Sequence, residues 1–122
     1  MQNFEIEYFE KNDNTRPAEE FILSEEFILS EDFKLQAKIF RILELLELKG
    51  NELREPYSSY LTDGIFELRA KQGSDISRVL YFFVVGKKII LTNGFRKKTQ
   101  KTPKSEIELA KKYKAEYEQR KE

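Results

Sequence analysis

The sequence predicts an α+β domain in which helices pack against one face of an antiparallel β-sheet. Three segments have the alternation of strands and are joined by short turns; they are residues 65–69, 77–85 and 89–95. Apolar residues recur at helical spacing before and after these strands, in residues 33–48 and 103–119. Ten Phe and six Tyr supply the apolar area of a core, and 122 residues predict a single domain spanning residues 1–122.

The N-terminal third adds one strand and one helix to this prediction. Residues 4–9 alternate apolar and acidic side chains, which predicts a fourth strand at an edge of the sheet. Pro17 is expected in the first turn of a helix, where its missing N–H is not needed. The following helix, residues 33–48, is expected to end at Gly50, because glycine is the usual residue just beyond a helix.

The remaining chain is predicted to be loop, strands and a last helix. Residues 51–64 are expected to form a loop, since they contain Pro56 and an Asp-Gly pair. The last helix has two predicted starts, with either Thr102 or Ser105 as the N-cap. Its buried stripe is expected to comprise Ile107, Ala110, Tyr113 and Tyr117.

A six-residue repeat interrupts the first helical region. The letters EEFILS occupy residues 19–24 and again 25–30, followed by a partial third copy. One helix through both copies would place the two Phe-Ile-Leu groups about 120° apart. The favoured interpretation is a tandem duplication absorbed by lengthening a helix or a connection. The alternative is that the additional apolar group docks on a partner or on a second copy of the chain.

Charge is segregated along the chain although the net charge is zero. Residues 1–35 contain ten acids and three bases. Residues 76–105 contain no acid and eight bases, which are Arg78, Lys87, Lys88, Arg96, Lys97, Lys98, Lys101 and Lys104. Such a block predicts a surface for a polyanion, with RNA the favoured one. The alternative is a solvated face whose charges meet the acidic N-terminal third.

The residue types present limit the chemistry. Without His or Cys there is no imidazole acid–base pair, no thiol nucleophile and no disulfide. The aspartates at positions 13, 63 and 75 are expected in turns, so we predict no metal site and no cofactor. Arg, Lys and Tyr remain, and they suit cleavage of a phosphodiester by the substrate's own 2′-hydroxyl.

Two arginines and two lysines are the candidate catalytic groups. Arg69 ends one predicted strand and Arg78 begins the next, so both lie near one end of the sheet. They share a surface if side-chain alternation places them on the same face. Lys97 and Lys98 follow the next strand and can reach that surface. The alternatives are an ion pair between Arg69 and Glu67, and a simple hairpin-end charge at Arg78.

Several segments resemble a known family. EPYSSYL, DGIFELR, SRVLYFF and especially GFRKKTQKTPKSEIELA at residues 94–110 are similar to HigB/RelE-like toxins of bacterial type II toxin–antitoxin systems, in the phage-related HigB branch. The resemblance extends from Phe33 onward and implies a RelE-like fold, with about four strands, two helices in the N-terminal half and a C-terminal helix.

The resemblance also implies a function and its partners. It implies a metal-independent, ribosome-dependent mRNA endonuclease that inhibits translation and is neutralised by an antitoxin, often with a helix-turn-helix. Its partners would be that antitoxin, the ribosome and mRNA, with operator DNA reached only through the antitoxin.

Individual residues receive roles from the same resemblance. Arg69, Arg78 and Lys97 or Lys98 would be catalytic. The other cations of the acid-free block are the candidate RNA-binding residues, namely Arg96, Lys101, Lys104, Lys87 and Lys88. Many relatives have a histidine where this chain has Asn93, so the general base is unassigned. Tyr81 and Lys101 are weaker candidates for it, and Tyr81 has the alternative role of a core residue.

The sequence also permits two other functions and predicts a cellular location. The chain is alternatively a non-catalytic module that binds RNA, the ribosome or an antitoxin. A DNA-binding regulator is less favoured, because the cations cluster at strand ends rather than on a base-reading helix. The sequence shows no signal peptide and no apolar stretch of about 20 residues, so no membrane association and a cytoplasmic location are expected.

Overall fold

The computed structural model describes residues 3–24, 33–97 and 100–120, which contain a five-stranded sheet and three α-helices. The elements are, in chain order, β1 (Glu5–Tyr8), α1 (Pro17–Ile22), α2 (Phe33–Lys49), a 3₁₀ turn (Gly50–Glu52), β2 (Ser58–Thr62), β3 (Ile65–Gln72), β4 (Asp75–Val84), β5 (Lys88–Lys97) and α3 (Lys104–Arg120). The strand order is β1-β5-β4-β3-β2, in which only β1 is parallel to its neighbour. The predicted α+β class is confirmed.

Helices cover both faces of the sheet rather than the single face predicted. On one face α1 and α2 bury residues such as Ile22 and Leu46 against Leu91 of β5. On the other face α3 buries Ala110 and Tyr113 against the other side of β4 and β5. The cause lies in β4, whose residues 76–82 are all buried. A strand that is apolar on both sides needs cover on both sides.

The segment predicted as a loop contains the edge strand β2. Asp63 and Gly64 form the two-residue connection to β3, and both have positive φ values, 49° and 81°. These values match the type I′ hairpin turn, whose twist suits two antiparallel strands. The strand lacks the apolar alternation that revealed the others, because Ser58 is its single buried residue.

Most other boundaries agree with the sequence prediction. Helix α1 begins at Pro17, and α2 ends before Gly50, whose φ is +52°. A Cβ atom on Gly50 would lie 2.1 Å from the ring of Phe4, so the close approach also requires glycine. The predicted N-caps of the last helix are wrong, since the Pro103 carbonyl accepts the first bond from Ile107. The hydroxyl of Thr102 is instead donated to a carboxylate of the sheet.

The repeat at residues 19–30 is described only in its first copy. There α1 ends at Ile22, and Leu23 is exposed. The second copy, residues 25–30, lies outside the described residues, so both interpretations of the repeat remain predictions. In the described part of the chain, no helix combines the length and the apolar character needed to cross a membrane.

Candidate RNA-binding and catalytic site

The two candidate arginines face each other across the β3–β4 hairpin. The turn at Gly73 and Ser74 pairs Gln72 with Asp75, and three residues further Arg69 lies directly opposite Arg78. Residues that are paired across two strands project from the same face of the sheet. The condition set by the sequence, one shared face for both arginines, is therefore met.

A buried carboxylate lies between the two arginines. Glu67 precedes Arg69 by two residues, so its side chain is on the same face, and it is only 4% exposed. Its Oε1 atom is 3.6 Å from Nε of Arg78, and its Oε2 atom is 3.9 Å from Nε of Arg69. Ser59 and Thr102 also donate their hydroxyls to this carboxylate. Glu67 thus joins β2, β3, β4 and the loop before α3.

Arg78 is the most enclosed member of the group. Its side chain is 0% exposed, and its guanidinium carbon lies 5.5 Å from the centre of the Phe95 ring. Burial, together with the charge of Arg69, lowers the pKa of Arg78 from its ordinary value, and Glu67 acts in the opposite direction. The buried charge is tolerated because a carboxylate and an aromatic ring lie beside it.

A β-bulge determines which basic residue of β5 joins the arginines. The pairing of β4 with β5 shifts between Val79 and Tyr81, where β5 contains one additional residue. Beyond the bulge, Phe95 lies opposite Arg78 and Lys97 lies opposite Ile76. Phe95 and the exposed Lys97 therefore project on the arginine face. Near functional sites, β-bulges commonly change the face of the sheet from which a side chain projects.

The loop between β5 and α3 closes over one side of Arg69. Atom Nη2 of Arg69 donates to the backbone oxygen of Gln100 at 2.9 Å and to its side-chain oxygen at 3.3 Å. Lys101 follows in the same connection, Lys104 is the first residue of α3, and both are exposed. A surface pocket of about 270 Å³ opens here, lined by Arg69, Ile76 and Gln100 among others. We call Glu67, Arg69, Arg78 and Lys97 the arginine cluster.

Three other predicted cations, Arg96, Lys87 and Lys88, lie elsewhere. Arg96 projects from the opposite face, where its Nη2 atom is 2.9 Å from a carboxylate oxygen of Asp75. Lys87 and Lys88 lie at the turn between β4 and β5. Lys88 and Lys97 are the first and last residues of β5, nine positions or about 30 Å apart. Lys98 lies outside the described residues.

Of the two weaker candidates for the general base, Tyr81 lies on the opposite face of the sheet from the arginine cluster, and Lys101 is exposed in the β5–α3 connection. Tyr81 lies in the core on the α1–α2 face, with its hydroxyl hydrogen-bonded to Ser58. Burial raises the pKa of Tyr81 to about 12. Asn93, where the resemblance implies a histidine, is buried and donates through Nδ2 to Glu106 at the start of α3.

Sequence reasoning treated Glu67 only as an alternative partner of Arg69, and it missed Gln100 and Phe95. The sequence does contain a signal for Glu67, which is a carboxylate between Phe66 and Leu68 within a predicted strand. Glu67 and Arg69 are two residues apart in that strand, so both side chains project from one face. The contacts of Gln100 and Thr102 depend on how the β5–α3 connection folds back, which no local pattern reveals.

Comparison with known proteins identifies the family. Residues 26–115 match the family model described as Phage derived protein Gp49-like (DUF891). No curated protein matches the chain. The match includes the arginine cluster and both strands that carry the arginines. The chain belongs to the phage-derived Gp49-like family.

Proposed function

We propose that this chain is the toxin of a type II toxin–antitoxin pair and cleaves mRNA on translating ribosomes. The Gp49-like family is related to HigB-like toxins, which supports the class. The observation that carries the proposal is the grouping of Arg69, Arg78 and Lys97 on one face at one end of the sheet. Three cations around one surface suit a phosphodiester in RNA.

The proposed reaction uses the RNA's own 2′-hydroxyl. The 2′-hydroxyl gives up its proton to water as its oxygen attacks the adjacent phosphorus. The bond to the 5′-oxygen breaks, and that oxygen takes a proton from water, leaving a 2′,3′-cyclic phosphate and a 5′-hydroxyl. Negative charge accumulates on the phosphoryl oxygens in the transition state, and fixed cations stabilise it. Lys97 is exposed and Arg69 is partly exposed, so we assign them the direct contacts. Arg78 is buried and adds positive charge from beneath.

Glu67 is assigned a positioning role. It lies within 4 Å of both guanidinium groups and is itself held by hydroxyls from two other segments. Among the described residues, the carboxylates of Glu67 and of Glu55 at the pocket face three cations of the cluster, so the surface remains positive. Preorganised charges of this kind need no rearrangement during the reaction, which is the main advantage of a protein site over water.

A non-catalytic binding module is the second candidate. Two observations favour it, namely the complete burial of Arg78 and the amide of Asn93 where relatives have an imidazole. Such a module would bind ribosomes in a salt-dependent way, through Lys97 and the other exposed cations, and would leave transcripts intact.

Induction in a bacterium separates the two candidates. We expect the wild-type chain to stop growth and to cut transcripts within minutes, and co-expression of the antitoxin to restore growth. Arg78→Ala is expected to abolish both effects, with its folding checked by circular dichroism. Because Arg78 is buried, Lys97→Ala provides an exposed test, with Lys87→Ala as the matched control. Normal growth with intact transcripts, while the chain co-sediments with ribosomes, would favour the binding module.

A further inference from the structure

A second basic surface lies beside the arginine cluster, on α2 and the open edge of β3. Its centre is a pocket of about 360 Å³ whose lining includes four cations and one exposed ring, Lys38, Arg41, Arg69, Lys71 and Tyr57. A shallower depression of about 240 Å³ adjoins it and adds Lys34 to Lys38 and Arg41. None of these α2 cations belongs to the acid-free block of residues 76–105.

The cations of this surface keep their charge available. Nζ of Lys38 donates to the backbone oxygen of Lys71 at 2.7 Å and to the side-chain oxygen of Gln72 at 3.2 Å, which are neutral acceptors. Within residues 3–24, 33–97 and 100–120, no ion pair engages Lys34, Arg41 or Lys71.

Among the described residues, acidic groups are few around this surface. Within those residues, no acid lines either pocket. Glu44 is exposed three residues beyond Arg41 on α2, and Glu55 lines the neighbouring pocket at the arginine cluster. Four cations on this side, Lys34, Lys38, Arg41 and Lys71, outnumber these two acids. The surface is therefore expected to attract a polyanion.

The surface also carries an aromatic ring. The residue Tyr57 is 42% exposed at the wall of the pocket, next to Pro56. Its backbone is fixed, because its carbonyl accepts a hydrogen bond from the amide of Arg69 at 2.9 Å. Cations along a groove together with an exposed aromatic ring are the usual means of binding single-stranded nucleic acid. An acidic peptide would use the cations but would not need the ring.

The new surface is continuous with the arginine cluster. Arg69, Lys71 and Pro56 line both the 360 Å³ pocket and the 270 Å³ pocket at the cluster. Strand β2 pairs with β3 only as far as Leu68, so the edge of β3 beyond it is accessible from both sides. A strand of RNA can thus pass from the cluster around this edge to α2.

We propose that α2 and Tyr57 bind a single-stranded stretch of RNA next to the phosphodiester held at the arginine cluster. Lys34, Arg41 and Lys71 contact phosphates, and a base stacks on Tyr57. The placement next to a scissile bond rests on the proposed function, whereas the binding itself does not.

Equilibrium binding of the full chain to a fluorescein-labelled dodecamer of uridine tests the proposal. Fluorescence anisotropy is measured over a range of NaCl concentrations for the wild type and for Lys34→Gln/Arg41→Gln. Each phosphate contact to a single strand contributes about 0.7 to the slope of log K against log salt, so the slope should fall by about 1.4 and affinity at 0.1 M salt by about 10- to 25-fold. Lys49→Gln/Lys112→Gln removes two exposed charges elsewhere and should change affinity less than about twofold.

The tyrosine is tested separately. Tyr57→Leu should weaken binding by about fivefold or more without changing the salt slope, since base stacking does not release counterions. Tyr57→Phe keeps the ring and should bind like the wild type.

Three results would overturn the proposal. The first is that no binding of the RNA is detected at low salt. The second is that the two double variants lose equal amounts of RNA affinity. The third is that a poly-glutamate peptide binds as tightly as the RNA and that Tyr57→Leu does not weaken its binding. The two proposals can fail separately. If the variants lose RNA affinity as predicted but the wild-type chain neither arrests growth nor cuts transcripts, the proposed function is refuted and the RNA-binding surface is supported.

Discussion

The two ends of the β4–β5 hairpin carry cations from the same acid-free block but differ in what surrounds them. At the turn, Nζ of Lys88 is 2.9 Å from a carboxylate oxygen of Glu7, and the ammonium of Lys87 lies 5.2 Å from the centre of the Phe4 ring. At the open end, Arg96 pairs with Asp75 on one face. On the other face, Arg78 shares the carboxylate of Glu67 with Arg69 of β3, and Lys97 is exposed. Among the described residues, positive charge is thus in excess on the arginine face of the open end.

The short first strand explains this difference. Strand β1 pairs with β5 only over residues 88–91, so its glutamates reach only the turn end. The alternative raised by the sequence, that the acidic N-terminal third meets the basic block, is therefore correct for Lys88. Within the described residues it does not extend to Lys97, which lies about 30 Å from Lys88 along β5. A count of charges along the chain could not separate the two ends.

The largest expected effect comes from removing the shared carboxylate. Glu67→Gln leaves Arg78 buried without its charged partner, and breaking a buried pair costs about 3–5 kcal/mol. Urea denaturation should show this loss in the free energy of unfolding. Glu7→Gln removes the corresponding carboxylate at the exposed end and should leave the midpoint near that of the wild type. Similar losses for both variants would contradict the contrast between the ends.

The next effect tests the bulge in β5. Lys97→Ala should lower cleavage of ribosome-bound mRNA by about 100-fold, the usual loss for one donor that stabilises transition-state charge. Arg96→Ala, on the other face, should lower stability by about 1–2 kcal/mol through loss of the Asp75 contact and leave cleavage within about threefold. If Arg96→Ala lowered cleavage more than Lys97→Ala, the ribosome-bound chain would have the β4–β5 pairing without the bulge, in which Arg96 projects on the arginine face.

The smallest effect concerns the opposite face of the sheet. Burial raises the pKa of Tyr81 to about 12, so the neutral phenol stabilises the folded state fully below pH 10. This contribution is lost as the pH rises from about 10 to 12, since the unfolded chain releases the proton first. Tyr81→Phe should cost about 1 kcal/mol at pH 7, through loss of the bond to Ser58, and should flatten the alkaline decline.

Spectroscopic titration checks the same residue. In the wild type, the ultraviolet absorbance should show one tyrosine that ionises late, near pH 12. This late step should be missing from the titration of Tyr81→Phe. Cleavage by Tyr81→Phe should match that of the wild type at pH 7. A cleavage defect without loss of stability would return Tyr81 to the list of candidate general bases.

Much of the fold and half of the site follow from local patterns. The two-residue turn at Gly73 and Ser74 sets the register of β3 and β4, so the pairing of Arg69 with Arg78 can be counted from the sequence. Alternation then adds Glu67 to the same face. The α+β class and most helix boundaries follow from periodicity and from residues such as Pro17 and Gly50.

The rest depends on contacts distant in sequence. The bulge near Asn93 exchanges the faces of Arg96 and Lys97, and only the packing of β5 between β1 and β4 reveals it. Strand β2 was missed because burial of Ser58 gives no apolar signal. The basic surface on α2 was missed because Lys34, Lys38 and Arg41 read locally as the solvated side of an amphipathic helix.

Single-turnover cleavage on purified translating ribosomes tests the central claim most directly. The wild-type chain should cut the mRNA and leave a 2′,3′-cyclic phosphate and a 5′-hydroxyl. Arg69→Ala should lower the cleavage rate constant by about 100-fold, whereas Lys87→Ala at the other end of the sheet should leave it within about twofold. Absence of cleavage by the folded wild type, or equal losses for the two variants, would contradict a catalytic role for the arginine cluster.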